Sequence, residues 1–301
     1  VLLAEVHART RQDLTMGLPC TLSPAARHRF PYFSSFQLFP MLETVIAAAL
    51  QAGRAIMDIY THPDTDWQVE RKADNSPLTL ADRRSHAVIA EALSATPYPL
   101  LSEEGAHQPY DERKDWKQLW IVDPLDGTKE FLKRNDEFTV NIALVSDGTP
   151  TLGVIYVPAK HVLYWGTAED GAWRADVDPS TLERTNVARI PAEGAGEGRP
   201  FRVVASRSHL SPETQELIDA LRPSHPDLEM VSAGSSLKLC LVAEGRADIY
   251  PRLAPTMEWD TAAGHAIALA AGCTVKDAST GLPLQYNKED LHNPFFIVER
   301  A

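Results

Sequence analysis

The sequence predicts a mixed α/β fold of layered sheets and helices, and three observations predict it. From Met41 onward apolar residues recur at helical spacing. After Leu100 the chain breaks into short apolar runs bounded by turn residues. Beyond residue 200 helical and strand patterns alternate without an internal repeat, the ordering of layered sheets and helices.

Taken in order, residues 1–40 stand apart. They carry Arg9, Arg11, Arg27 and Arg29 against Glu5 and Asp13, with scattered Pro and no periodicity. They read as an extension, either lying ahead of a natural start at Met41 or forming a loose, disordered tail; no uninterrupted apolar region marks a signal peptide. Leu42, Val45, Ile46, Ala49, Leu50, Ile56 and Tyr60 then fit one face of an amphipathic helix. A second helix is predicted from Thr79 to Leu93, because Thr79 and Asp82 have the spacing of a capping box. Strands follow at Leu119–Val122, Thr139–Val145, Leu152–Val157 and Val162–Trp165. The Gly-, Glu- and Pro-rich stretch at 191–200 is the best internal boundary, giving an N-terminal lobe over 41–195 and a C-terminal lobe over 196–301. The second lobe is predicted to carry strands at Phe201–Ala205, Asp248–Tyr250, Thr274–Lys276 and Phe295–Val298. Its helices are expected at Pro212–Leu221, from Ser235–Ser236, and over Asp260–Ala271.

Composition narrows the function. The 301 residues hold 29 Lys and Arg against 41 Asp and Glu, a net charge of −12, so a nucleic-acid platform is excluded and a polyanionic substrate needs cations at its site. Cys20, Cys240 and Cys273 lack the spacing of a zinc site, and their odd number fits a reducing cytoplasm. No run approaches the ~20 apolar residues of a membrane span.

Chemistry concentrates in W-I-V-D-P-L-D-G-T-K-E-F, Trp120 to Phe131. A buried strand is expected to end at Val122, with Asp123 at its exit, Pro124 preventing the ladder from continuing and Asp126 across a turn completed by Gly127. Two carboxylates and the Leu125 carbonyl then face one spot, the hard-oxygen set that Mg²⁺ accepts; the alternative is an Asp-rich turn. Leu101–Gly105 reads L-S-E-E-G and puts Glu103 and Glu104 at another strand end, as candidate ligands or as solvated glutamates. E-W-D at 258–260 puts Asp260 at a helix start, as a ligand or an N-cap.

L-S-E-E-G, D-P-L-D-G-T-K-E-F and W-D-T-A-A-G-H, in this order, resemble the inositol monophosphatase-like superfamily of Mg²⁺-dependent, lithium-sensitive phosphatases, over about residues 41–301. K-A-D-N-S-P at 72–77, S-R-S-H at 206–209, G-S-S-L-K at 234–238 and Y-P-R at 250–252 are similar to its CysQ-type 3′(2′),5′-bisphosphate nucleotidase branch. The resemblance implies a layered α-β-α-β-α sandwich and hydrolysis of adenosine 3′,5′-bisphosphate to AMP, with 3′-phosphoadenylyl sulfate as a second substrate. It implies metal ligation by Glu103, Asp123, the Leu125 carbonyl, Asp126 and Asp260, with Asp82 and Thr128 activating the water. Glu103 is implied to serve both the metal and catalysis. Gly127, Thr128, His209, Ser235, Lys238 and Arg252 are the implied substrate contacts, the C-terminal lobe completing the metal and nucleotide site. The resemblance also allows peripheral attachment to the cytoplasmic face of the inner membrane, although no basic amphipathic helix supports it.

Electrostatics agrees with the implied ligands. Four carboxylates converging on a phosphate dianion require cations, and two or three Mg²⁺ satisfy them. Lys238 and Arg252 are expected to hold the second phosphate. Two other readings stay open: an inositol or sugar monophosphatase with no use for a second phosphate site, and a non-catalytic nucleotide or metal sensor. Trp67, Trp116, Trp165, Trp173 and His265 are expected to pack, and Cys240 and Cys273 to be buried thiols.

Overall fold

Helical spacing in the sequence becomes a long first helix, α1 (Ser35–Tyr60), in the computed structural model, which describes residues 35–62, 67–72, 77–106, 108–205 and 211–300. The helix starts six residues ahead of Met41 and includes Pro40, so the helical pattern does not begin where the apolar spacing becomes regular. Cys20 and most of the expected extension lie outside the described residues. A two-stranded ribbon, β1 (Glu70–Arg71) with β2 (Pro77–Leu78), leads into α2 (Leu80–Leu93). The predicted capping box is present: Thr79 Oγ1 accepts from the Ala81 and Asp82 N–H groups, and the Asp82 carboxylate accepts from Thr79 N–H.

The larger sheet has seven strands in sequence order: β3 (Leu100–Ser102), β4 (Gln118–Asp126), β5 (Thr139–Ser146), β6 (Thr149–Val157), β7 (Val162–Thr167), β8 (Gly171–Val177) and β9 (Arg184–Ile190). β3 runs parallel to β4, and the rest form an antiparallel meander. Short helices α3 (Tyr110–Arg113) and α4 (Thr128–Leu132) flank β4. β8 and β9 are not among the predicted strands; β9 is an outermost strand whose residues 185–189 are exposed and carry no alternation. Residues 191–200 connect this sheet to a second one.

The second sheet has the order β11-β10-β12-β14-β13, with β10 (Arg202–Ala205) parallel to β11 (Glu229–Ser232) and β12 (Ile249–Arg252), while β14 (Phe296–Glu299) is antiparallel to β12 and β13 (Thr274–Asp277). Helices α5 (Pro212–Leu221), α6 (Leu237–Ala243) and α7 (Glu258–Ala270) complete the chain.

Strand alternation decides the layers. On β6, Tyr156 faces α1, where a Cβ on Gly53 would lie 2.4 Å from its ring. Gly153 faces the other way, and a Cβ there would come within 2.2 Å of the Ala263 carbonyl on α7. On β10, Val204 joins the large core shared with α6 and α7, while Val203 joins Ile218, Leu228 and Ile249 under α5. The order is therefore α1 and α2, seven-stranded sheet, α6 and α7, five-stranded sheet, α5, the five-layer sandwich that was expected. Leu42–Ala301 forms one compact unit. Cys240, Cys273 and His265 are buried, and Trp165 stacks on Trp173 at 6.3 Å, all packing roles as expected.

Candidate active site

The site is built where β3, β4, α2, α4, the 233–236 turn and the start of α7 meet. Pro124 lacks an N–H, so the β4–β5 ladder is interrupted between Asp123↔Asn141 and Asp126↔Thr139. The strand does not end at Val122 as expected; it pairs through Asp123, skips at Pro124 and resumes at Asp126. Within the irregularity Leu125 N–H donates to Asp123 Oδ1 at 3.0 Å. Gly127 then takes φ +94°, where a side chain would be strained and would meet the Glu137 carbonyl at 3.2 Å. This turn launches α4 with Thr128 as its first residue.

Asp123, Asp126 and Asp260 come together, with carboxylate oxygens within 4.8 Å of one another. Asp260 is the third residue of α7 and accepts from Met257 N–H at 2.8 Å, so it does not cap the helix from outside. The two oxygens of Asp126 are treated differently. Oδ2 accepts from Ser235 Oγ (2.5 Å), Ser236 N–H (2.7 Å), Ser236 Oγ (2.8 Å) and Asn141 Nδ2 (3.4 Å), whereas among the described residues nothing donates to Oδ1. Saturating one oxygen orients the carboxylate and reserves the other. Ser235 pays for this position with φ +51°, unusual for a residue with a side chain.

Glu103 stands beside Asp123, but its carboxylate is engaged by Lys72 Nζ at 2.7 Å, and the same ammonium also pairs with Glu104. The Lys72 grip spans 31 residues; Lys72 opens K-A-D-N-S-P, but nothing in the sequence pairs it with Glu103. Asp82 Oδ2 closes the expected capping box, and Oδ1 accepts from Thr128 Oγ1 at 3.2 Å. Thr128 Oγ1 also lies 3.4 Å from the Leu125 carbonyl.

The expected substrate contacts are placed unequally. Lys238 is buried, donates to the Ser235 carbonyl at 2.6 Å and sits over the Tyr250 ring at 5.6 Å. Burial lowers its pKa to about 8. Arg252 is half-buried and donates to the Pro255 carbonyl at 3.1 Å, but among the described residues its Nε finds no partner. Ser235 is committed to Asp126 and Thr139. His209 lies outside the described residues, as do positions 73–76 of K-A-D-N-S-P and the S-R-S-H stretch.

The charge balance calls for a cation. Burial, then the neighbouring Glu103, Asp126 and Asp260, push the Asp123 carboxyl well above its usual range. Burial and Asp126 push Asp260 to about 8. Among the described residues no ion pair relieves Asp123, Asp126 or Asp260. Three clustered hard-oxygen donors, Asp123 buried and Asp126 and Asp260 partly so, suit a divalent ion such as Mg²⁺ or Mn²⁺, not a soft metal.

A pH dependence follows. Unfolded, Asp260 loses its proton near 3.8; folded, it keeps it to about 8, so the metal-free fold loses stability as pH rises through that interval. Metal-free protein should melt about 3 °C or more lower at pH 8 than at pH 5.5, and MgCl₂ should raise the melting temperature more at pH 8. Thermal melts at both pH values check this, and equal metal shifts would contradict it.

Known proteins share this arrangement of chain and fold. The profile of the inositol monophosphatase family matches residues 37–296. The 3′(2′),5′-bisphosphate nucleotidase CysQ of Escherichia coli K12 is 47 % identical over 263 residues, covering 86 % of this chain and 99 % of that protein. The crystal structure of CysQ from Bacteroides thetaiotaomicron, described as a bacterial member of the inositol monophosphatase family, superposes with TM-score 0.79 at 52 % identity. It covers 87 % of this chain and 97 % of that one. The suppressor protein SuhB of Bartonella henselae gives TM-score 0.65 at 26 % identity, covering 87 % and 94 %. With the profile spanning nearly all of the chain beyond residue 36 and the acidic strand end, the Thr–Asp pair and the helix-borne Asp260 at one place, this chain belongs to the inositol monophosphatase family.

Proposed function

We propose that the protein is a Mg²⁺-dependent 3′(2′),5′-bisphosphate nucleotidase. It would hydrolyse adenosine 3′,5′-bisphosphate to AMP and phosphate, and 3′-phosphoadenylyl sulfate to adenylyl sulfate. The observation that carries this reading is the convergence of Asp123, Asp126 and Asp260 beside the Thr128–Asp82 pair. The nucleotidase names of its relatives support the substrate class.

Asp123, Asp126, Asp260, Glu103 and the Leu125 carbonyl would hold two or three Mg²⁺. Bound there, the ions supply charge neutralisation for the phosphate and acidify water. The chain's own residues do the rest. Asp82 Oδ2 is fixed by Thr79, so Oδ1 draws the Thr128 proton and leaves the Thr128 lone pairs to accept from an attacking water. Asp126 is kept aimed by Ser235, Ser236 and Asn141. Arg252, half-buried, and Lys238, buried beside it, would supply the positive charge that holds the second phosphate.

Phosphate release with Mg²⁺ should be much faster from adenosine 3′,5′-bisphosphate than from inositol 1-phosphate at equal concentration. Equal or reversed rates would move the protein to the monophosphatase branch. Arg252→Ala should lower kcat/KM for the bisphosphate about 10- to 100-fold, the value of a charge-assisted contact, with a far smaller effect on a monophosphate. Unchanged discrimination between the two would refute the role of Arg252.

A further inference from the structure

We propose that Ser85 and His86 are positioning residues that set the affinity of the acidic cluster for a divalent cation; this rests on the metal reading of that cluster. Asp82, Ser85 and His86 are related by three and four residues, so they lie on one face of α2. Each grips a different segment of the site. Asp82 holds Thr128 at the start of α4. Ser85 Oγ donates to the Pro124 carbonyl at 2.6 Å, inside the step where the β4–β5 ladder skips. His86 Nδ1 pairs with Ser102 Oγ at 2.9 Å, at the end of β3, immediately before Glu103 and Glu104.

The pairs are built, not incidental. Ser85 is fully buried on a helix face shared with Ala81, Asp82, Ile89 and Leu93, and its hydroxyl donates its proton to the Pro124 carbonyl. Ser102 is 1 % exposed. A Cβ on Gly105 would lie 3.5 Å from His86 Cε1, so the glutamate turn closes directly against the imidazole. The helix is itself anchored by its capping box. α2 therefore sets Asp123 relative to Glu103 from outside the ligand set, and neither Ser85 nor His86 supplies a ligand. Removing either grip loosens the spacing of the carboxylates that a cation must bridge, while the Thr128–Asp82 pair stays intact.

The test is a thermal-shift titration with MgCl₂, run beside kcat measured at saturating Mg²⁺. Ser85→Ala and His86→Ala should each raise the Mg²⁺ concentration for half the shift about tenfold, with kcat at saturation within about threefold of the parent. His86→Asn keeps a polar atom at the Nδ1 position and should restore most of the affinity. A parent that shows no Mg²⁺-dependent shift overturns the metal reading and this proposal together. A parent that shifts, with variants of unchanged half-saturation and merely lower melting temperatures, overturns this proposal alone. If Ser85→Ala does not fold, the comparison of His86→Ala with His86→Asn decides: equal affinities overturn the proposal, and rescue by Asn upholds it.

Discussion

Asp123→Asn is expected to lower kcat by about a thousandfold, a loss of several kcal/mol of cation-mediated stabilisation, while the protein stays folded. The substitution keeps shape and one acceptor oxygen, so Leu125 N–H retains the partner that shapes the interrupted strand. What disappears is a negative charge held 1 % exposed among Glu103, Asp126 and Asp260. Without metal, that charge is a burden: burial and its neighbours favour the protonated carboxyl. The metal-free variant should therefore melt no lower than the metal-free parent at pH 8, and its MgCl₂-induced shift should shrink or vanish. Steady-state kinetics and thermal melts with and without MgCl₂ check the two halves separately. Near-normal kcat would remove Asp123 from the ligand set.

Much of this site was legible because its parts sit at the ends of regular elements, where short motifs carry the geometry. D-P-L-D-G-T signals the break after Asp123 and the turn at Gly127, and T-L-A-D signals a capping box, while the resumption of the strand at Asp126 and the short helix from Thr128 appear only in the structure. The capping use of Asp82 was readable from T-L-A-D, whereas its pairing with Thr128 was implied only by the family resemblance. The contacts that aim the ligands were not legible. Ser236 reaches Asp126 across 110 positions, and Lys72 reaches Glu103 across 31. Their partners are set by topology: neither K-A-D-N-S-P, nor G-S-S-L-K, nor Asn141 within its strand says in sequence which carboxylate it will meet. Strand β9 was missed for a related reason. It is paired on one side only, and exposed residues at 185–189 give it no alternation to read.

Thr128→Val is expected to lower kcat about 10²- to 10⁴-fold, the usual contribution of a positioned proton acceptor. Valine matches threonine in shape and suits the first position of the short helix, so the change deletes a hydroxyl and little else. Because Thr128 is not among the clustered carboxylates, the MgCl₂-induced thermal shift should stay as in the parent. That contrast separates it from Asp123→Asn. Thr128→Ser, which keeps the hydroxyl, should remain within about tenfold of the parent. Asp82→Asn supplies the decisive control. Its carbonyl oxygen can take over the acceptor role toward Thr79, which leaves the amide NH₂ facing Thr128 at the place of Oδ1. The amide would then donate to Thr128, turning the threonine proton outward and reversing the polarity a water meets. Asp82→Asn should thus fold, bind Mg²⁺ and lose turnover to an extent similar to Thr128→Val, with the double variant no worse than either. Additive losses would mean that the two residues act separately, and a Thr128→Val enzyme keeping more than about a tenth of parental kcat would show that this hydroxyl takes no part in moving the proton.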